Sequence, residues 1–384
     1  MKKTIYTRDV ILIMIAAFFY MSCNNSVSPL VAGYAEKIGA SGIWMGVISA
    51  VVTAAAVVCR PVTGNLSDRL PKFRLVVAGC AMMLTACLGC AFVPNLGVLI
   101  IMRCLHGVGY ACCSLGMSTW LTMLLPPDKL GSGVGIYGTI SAIAMSIAPT
   151  IGIRAKAFWG YRGSFLVAGA CALIVIVLAL LTRDHGMPVA KPEKKLPASR
   201  KLVYPRVLPI AIALALISIP YTANKSFLVS YVERAKVAIQ PDVFFLLYAA
   251  ALVVLRTSLR KFFDKVSYST FLLLGSFSLI ASLACLRFMN GPVLLVAAAV
   301  FMAGSYGIMY SVSQAATASN APAEQRGIAM GTFYLGLDFG SAIGPIVGGF
   351  LYGSFALHLF YPLLGIFALG GIGMYFVCRK FYGK

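Results

Sequence analysis

Apolar runs of about 20 residues, each closed by a few polar or basic positions, recur along the whole chain. At about 1.5 Å of rise per residue, a run of that length crosses the hydrocarbon of a bilayer as a helix. The pattern predicts twelve spans, over 10–30, 43–62, 74–94, 97–120, 132–153, 163–182, 208–231, 243–259, 269–288, 292–316, 328–352 and 357–378. The first run is long enough to span and has no convincing cleavage site, so it reads as a first helix rather than a removed signal.

Composition agrees with this pattern. The 384 residues are 60% hydrophobic and 11% charged, with a mean hydropathy of +0.89, whereas soluble domains carry roughly 25% charged residues. Soluble multidomain, disordered, collagen-like and coiled-coil classes are excluded. The net charge of +21 would suit a nucleic-acid binder only if the basic residues shared a folded polar surface. They sit between apolar runs instead, so the charge is topological and no nucleic-acid partner is expected. With both termini inside, the outer connections hold only Lys37, Arg154, Lys156, Arg162, Arg234, Lys236 and Arg287. Because cytoplasmic loops retain Lys and Arg, both termini are predicted to be cytoplasmic, in a multi-pass plasma-membrane protein.

The one long connection, 183–206, is basic and proline-rich and reads as a linker between an N-terminal bundle, 1–182, and a C-terminal bundle, 207–384. The two bundles repeat each other at an offset of 196 residues. Arg60 and Asp68 fall on Arg256 and Asp264, and a basic residue (Arg69, Lys265) follows each aspartate. Pro126, Gly131, Gly135, Ile147, Pro149 and Gly152 fall on Pro322, Gly327, Gly331, Ile343, Pro345 and Gly348 at the same offset. Six spans per half give both halves one orientation, a parallel repeat about an axis along the membrane normal. Two such bundles can rock about a midplane site, which is the geometry of a transporter.

Between the second and third spans stand Gly64, Leu66, Asp68, Arg69, Lys72 and Arg74. They match the G-x-L-x-D-R-x-G-R/K-x-R/K signature, and on them the chain resembles the major facilitator superfamily over all twelve spans. It departs at Pro71, where the family usually has glycine. The resemblance implies an all-α polytopic fold of twelve transmembrane helices in two parallel six-helix repeats. It also implies that Asp68 latches the outward-facing state against the eleventh helix. Two complete halves make a monomer sufficient.

Arg103, Gly107 and Gly109 of the fourth span are similar to the family's R-x-x-x-G-x-G pattern, and His106 and Tyr110 continue the Arg103 stripe at i+3 and i+7. A charged residue in a span is costly, so Arg103 is expected either to face a cavity and assist proton coupling or to snorkel to the outer interface. Asp338 is the carboxylate expected deep in the eleventh span. Gly336, Gly340, Gly344 and Gly348 recur every four residues as a packing stripe. At 100° per residue, Asp338 sits opposite that stripe. A carboxylate placed there can load and release a proton as water access switches sides; the alternative is a neutral or arginine-paired structural acid. Its repeat counterpart is Ala142.

The drug/proton antiporter branch of the family carries G-x-x-x-G-P-x-x-G-G in the fifth helix. Here that copy is reduced to Ala144, Ala148, Pro149 and Gly152, and the intact one, Gly340, Gly344, Pro345, Gly348 and Gly349, lies in the eleventh. The family's cavity helices direct attention to Tyr20, Asn24 and Asn25 of the first span, His106 and Tyr110 of the fourth, and Ser218, Tyr221 and Lys225 of the seventh. Each polar group could instead bond a neighbouring helix.

Cys87 and Cys90 form a C-x-x-C inside an apolar run with no second pair, and no metal or cofactor is expected. The G-x-G-x-x-G at Gly133, Gly135 and Gly138 lacks the strand and the acidic residue of a dinucleotide site. No catalytic constellation is found, so an enzyme is not expected. The reading is a transporter whose partners are a small organic molecule, protons and the bilayer, working by proton-coupled efflux, with proton-coupled uptake as the alternative.

Overall fold

The computed structural model describes residues 7–126, 129–187, 203–259, 266–321 and 326–382. Eleven helical stretches among them are long and apolar enough to cross a membrane. In chain order the helices are α1 (Arg8–Val27), α2 (Val31–Lys37), α3 (Gly42–Arg69), α4 (Lys72–Phe92), α5 (Leu96–Leu124) and α6 (Leu130–Leu181). After the central connection come α7 (Leu208–Ala235), α8 (Pro241–Ser258), α9 (Tyr268–Arg287), α10 (Pro292–Met302), α11 (Ile308–Ser319), α12 (Arg326–Ser354) and α13 (Phe360–Tyr382). α1 and α2 form one crossing stretch, as do α10 and α11.

α6 contains both the fifth and the sixth expected spans. Its backbone leaves helical geometry at Gly160 (φ 67°, ψ −173°), a conformation that glycine adopts without the penalty of a Cβ. Divided there, the stretches give the twelve crossing segments expected, all helical. The periodicity gave no warning of the π-turn at Ala303–Gly307 that separates α10 from α11. Polar residues set several helix starts: the side chains of Thr7, Asn95 and Ser267 accept hydrogen bonds from the main chain of the first turns of α1, α5 and α9. Large apolar residues on the outside, such as Phe158 at 77% exposure and Trp159 at 70%, suit a lipid surface with an aromatic interface.

The described residues fall into two compact units, one within 1–40 and 51–194 and the other within 41–50 and 195–384. Inside the first, α1 packs chiefly on α6, and α4 on α5. Inside the second, α7 packs on α12, and α9 on α10 and α13. The pairings repeat at the 196-residue offset. A Cβ on Gly79 would come within 2.7 Å of the Gly109 carbonyl, and one on Gly275 within 2.8 Å of the Met309 side chain.

The segment 183–187, read as the start of the linker, is bound into the first unit. Arg183 N and Asp184 N donate to the Asp9 carboxylate at 3.3 and 3.0 Å. Trp120 Nε1 donates to Asp184 Oδ1 at 3.4 Å. Lys72 N and Phe73 N donate to the carbonyls of Gly186 and His185 at 3.0 and 3.2 Å. These bonds satisfy the first backbone N–H groups of α4 and those that follow α6, so residues 183–187 pack with the first unit. The rest of the expected linker, 188–202, lies outside the described residues.

Candidate functional site

In the second unit, aromatic side chains from three helices meet at the π-turn. The rings of Tyr221 on α7 and Tyr306 in the turn stack at 3.9 Å with planes 9° apart. Tyr248 of α8 stands 5.5 Å from Tyr221. A π-turn adds a residue to the helical repeat and re-aims the side chains after it, and here it presents Tyr306 to α7. Arg256 Nη2 approaches the Gly307 carbonyl at 3.5 Å, at the end of that turn.

Gly336, Gly340 and Gly344 abut α7 so closely that an added Cβ would collide with the carbonyls of Ala211, Ala215 and Ile219. Thr222 Oγ1 adds a hydrogen bond to the Gly340 carbonyl at 3.2 Å. Asp338, on the opposite side of α12, is half-buried and within electrostatic range of Tyr306. Lys225 lies one helical turn beyond Tyr221 on α7 and is also half-buried. Asp338 offers one proton-binding group, and the Tyr221–Tyr306 pair a flat aromatic face.

The first unit differs. Tyr20 of α1 is 1% exposed, and its hydroxyl shares a hydrogen bond of 3.1 Å with that of Tyr137 on α6. The Tyr110 ring, on α5, stands 6.1 Å from that of Tyr20. Asn25 is buried and donates to the Met21 carbonyl at 2.9 Å. Of the residues expected on a cavity wall, Tyr20, Asn25 and His106 are thus buried inside the bundle, whereas Asn24, Tyr110, Tyr221 and Lys225 are half-buried. Arg103 is 3% exposed and does not snorkel to the interface. Its electrostatic neighbours are Cys90, Cys87 and Cys23. His106 Nδ1 stands 3.8 Å from Cys87 Sγ, and Cys23, Cys87 and His106 bring their donor atoms within 4.8 Å of one another.

In the signature loop, Lys72 is buried and its ammonium donates to the Ser67 carbonyl at the end of α3. Arg69 and Arg74 are exposed, as is Leu66, and Gly64 is half-buried. The side chain of Asp68 and all of Asp264 lie outside the described residues. Pro149 lies within α6, one turn before the Gly152 contact with the Ser26 carbonyl. Pro345 is accommodated within α12, and Gly348 abuts Phe227 and Ala223.

Sequence reasoning overlooked Tyr137, Tyr248 and Tyr306. For Tyr306 a signal existed, because it lies 196 residues after Tyr110. Each of the two meets an aromatic ring on the first helix of its own unit. Tyr137 and Tyr248 have no such marker.

The Major Facilitator Superfamily profile matches residues 13–292 and 243–382. The chain is 21% identical over 383 residues to an uncharacterized MFS-type transporter of Methanocaldococcus jannaschii, an alignment covering 94% of this chain and 96% of that one. It is 22% identical over 374 residues to the quinolone resistance protein NorA of Staphylococcus aureus, covering 93% of each. A homolog of the multi-drug resistance efflux pump PmrA from Lactococcus lactis is 27% identical over 199 residues, about half of either chain (50% and 48%). Among solved structures, the nucleoside transporter NupG has a TM-score of 0.79 at 13% identity, covering 96% of this chain and 99% of that one. A POT family transporter in complex with a thioalcohol conjugated peptide has a TM-score of 0.80 at 13% identity, covering 97% and 96%. At these identities the structural likeness shows the fold alone.

Proposed function

Because the chain belongs to the major facilitator superfamily of membrane transporters, we propose that it exports a small organic molecule in exchange for protons. The observation that carries this reading is Asp338, half-buried in a crossing helix and within electrostatic range of Tyr306 in the Tyr221–Tyr306 stack. Charged groups inside spans are expensive and concentrate where ions or protons are handled. Protonation makes Asp338 neutral and deprotonation leaves a charge that must face water or a partner. The two forms therefore favour different arrangements of the surrounding helices, which couples proton loading to alternating access.

The aromatic stack supplies apolar contact for an organic solute, with Lys225 and the tyrosine hydroxyls as polar anchors. An arginine keeps its proton at physiological pH, so Arg103 supplies fixed charge while Asp338 carries the proton. Asp68 acts as the cytoplasmic latch, a role implied by the family signature. Export is favoured over uptake by likeness to relatives named as resistance and efflux proteins.

The test is flux in liposomes of known orientation under an imposed pH gradient, with a mixed library of metabolites and drugs. Export predicts that at least one solute moves opposite to the protons. Solute that moves with the protons would make the protein an uptake symporter.

A further inference from the structure

The interior of the first unit holds two cysteines and a histidine that the transport reading does not use, beside the Arg103 that it does. Cys23 comes from α1, Cys87 from α4, and His106 and Arg103 from α5. Cys23, Cys87 and His106 are each at most 2% exposed, and their donor atoms lie within 4.8 Å of one another. His106 Nε2 and Arg103 Nε are buried there without a hydrogen-bond partner. A three-coordinate ion with bonds of about 2.3 Å to sulfur and about 2.0 Å to nitrogen sets those atoms about 3.8 Å apart. The Cys87 Sγ to His106 Nδ1 separation is 3.8 Å.

We propose that Cys23, Cys87 and His106 form a buried binding site for a soft monovalent cation of the Cu(I) class, with Arg103 as its charge partner. Two sulfur donors and one imidazole select soft ions over the hard ions that oxygen ligands hold. Binding releases the two thiol protons, which leaves two thiolate charges, the Arg103 cation and the bound ion. A monovalent ion makes that sum zero, whereas a divalent ion leaves a net charge inside a membrane-spanning bundle, where charge is costly. Bound there, the ion ties α1, α4 and α5 together within one bundle, independently of which solute is carried.

The test uses the purified full-length protein in detergent under anaerobic, reducing conditions, titrated with Cu(I) against a chromophoric Cu(I) chelator. One equivalent per chain should be withdrawn from the chelator, and copper-edge X-ray absorption should show two sulfur neighbours and one nitrogen. Cys23→Ser, Cys87→Ser and His106→Gln should each weaken binding at least about tenfold, the loss typical even of groups that only orient a ligand. Cys104→Ser and Cys285→Ser, outside the site, should not. Gel filtration checks that each variant remains folded, and the wild-type spectrum stands whether or not a variant folds. The proposal is overturned if no copper is taken up, or if uptake survives loss of both Cys23 and Cys87. Preference for Zn(II), or a Cys23–Cys87 disulfide in protein purified without oxygen, would overturn it as well.

Discussion

In the first bundle α1 meets α6 where Gly152 abuts the Ser26 carbonyl, and in the second α7 meets α12 where Gly348 abuts Ala223 and Phe227. The same helices pair in both, at positions 196 residues apart. The side chains that fill the interiors differ. Cys23, Cys87, Arg103 and His106 of the first bundle correspond at that offset to Ile219, Leu283, Ala299 and Met302 of the second, an apolar set that is buried throughout. Conversely, Asp338 corresponds to Ala142. Packing is common to the two halves, while Asp338 and the Cys23, Cys87, Arg103 and His106 group each belong to one half alone. Of the interior residues, those that break the repeat are therefore tested for function, and the glycines that keep it for stability.

The largest effect expected from breaking this comparison is at Asp338. Asp338→Asn should reduce proton-driven flux to the level of empty liposomes while leaving gel-filtration behaviour and helix content unchanged. Asp68→Asn should slow transport several-fold and Asp264→Asn much less, because only Asp68 stands in the full signature; initial rates compare the two.

A smaller effect separates the glycines. Gly152→Ala drives a Cβ into backbone, which cannot yield easily, and should cost about 1–3 kcal/mol. Gly348→Ala meets side chains that can shift and should cost less; thermal unfolding of the two purified variants measures the difference. Least of all, Tyr137→Phe removes one shared hydroxyl hydrogen bond from the first bundle and should cost about 1 kcal/mol. The counterpart in the second bundle is already Phe333.

The crossing segments were legible because each needs about 20 apolar residues and leaves a polar signal at its ends. Gly160 fell where the sequence predicted a turn between the fifth and sixth spans. The stripe of Gly336, Gly340, Gly344 and Gly348 was readable from helical spacing and packs on α7. Other features depend on partners distant in the chain. Nothing near Asp9 announces that its carboxylate binds the backbone after α6. The π-turn inserts one residue into a hydrogen-bond ladder, and apolar periodicity does not register that. Sequence proximity joined Cys87 to Cys90, yet only the packing of α1, α4 and α5 brings Cys87 to Cys23 and His106. The tyrosine stack likewise needs three helices to meet.

The most direct measurement of the central claim is proton movement driven by substrate, read with a pH dye trapped inside liposomes. Wild-type protein should move protons opposite to an imposed solute gradient. Asp338→Asn should still exchange labelled for unlabelled solute across the membrane while moving no protons. If Asp338→Asn sustains solute-driven proton movement at the wild-type rate, the coupling group is elsewhere and the assignment to the second bundle is wrong.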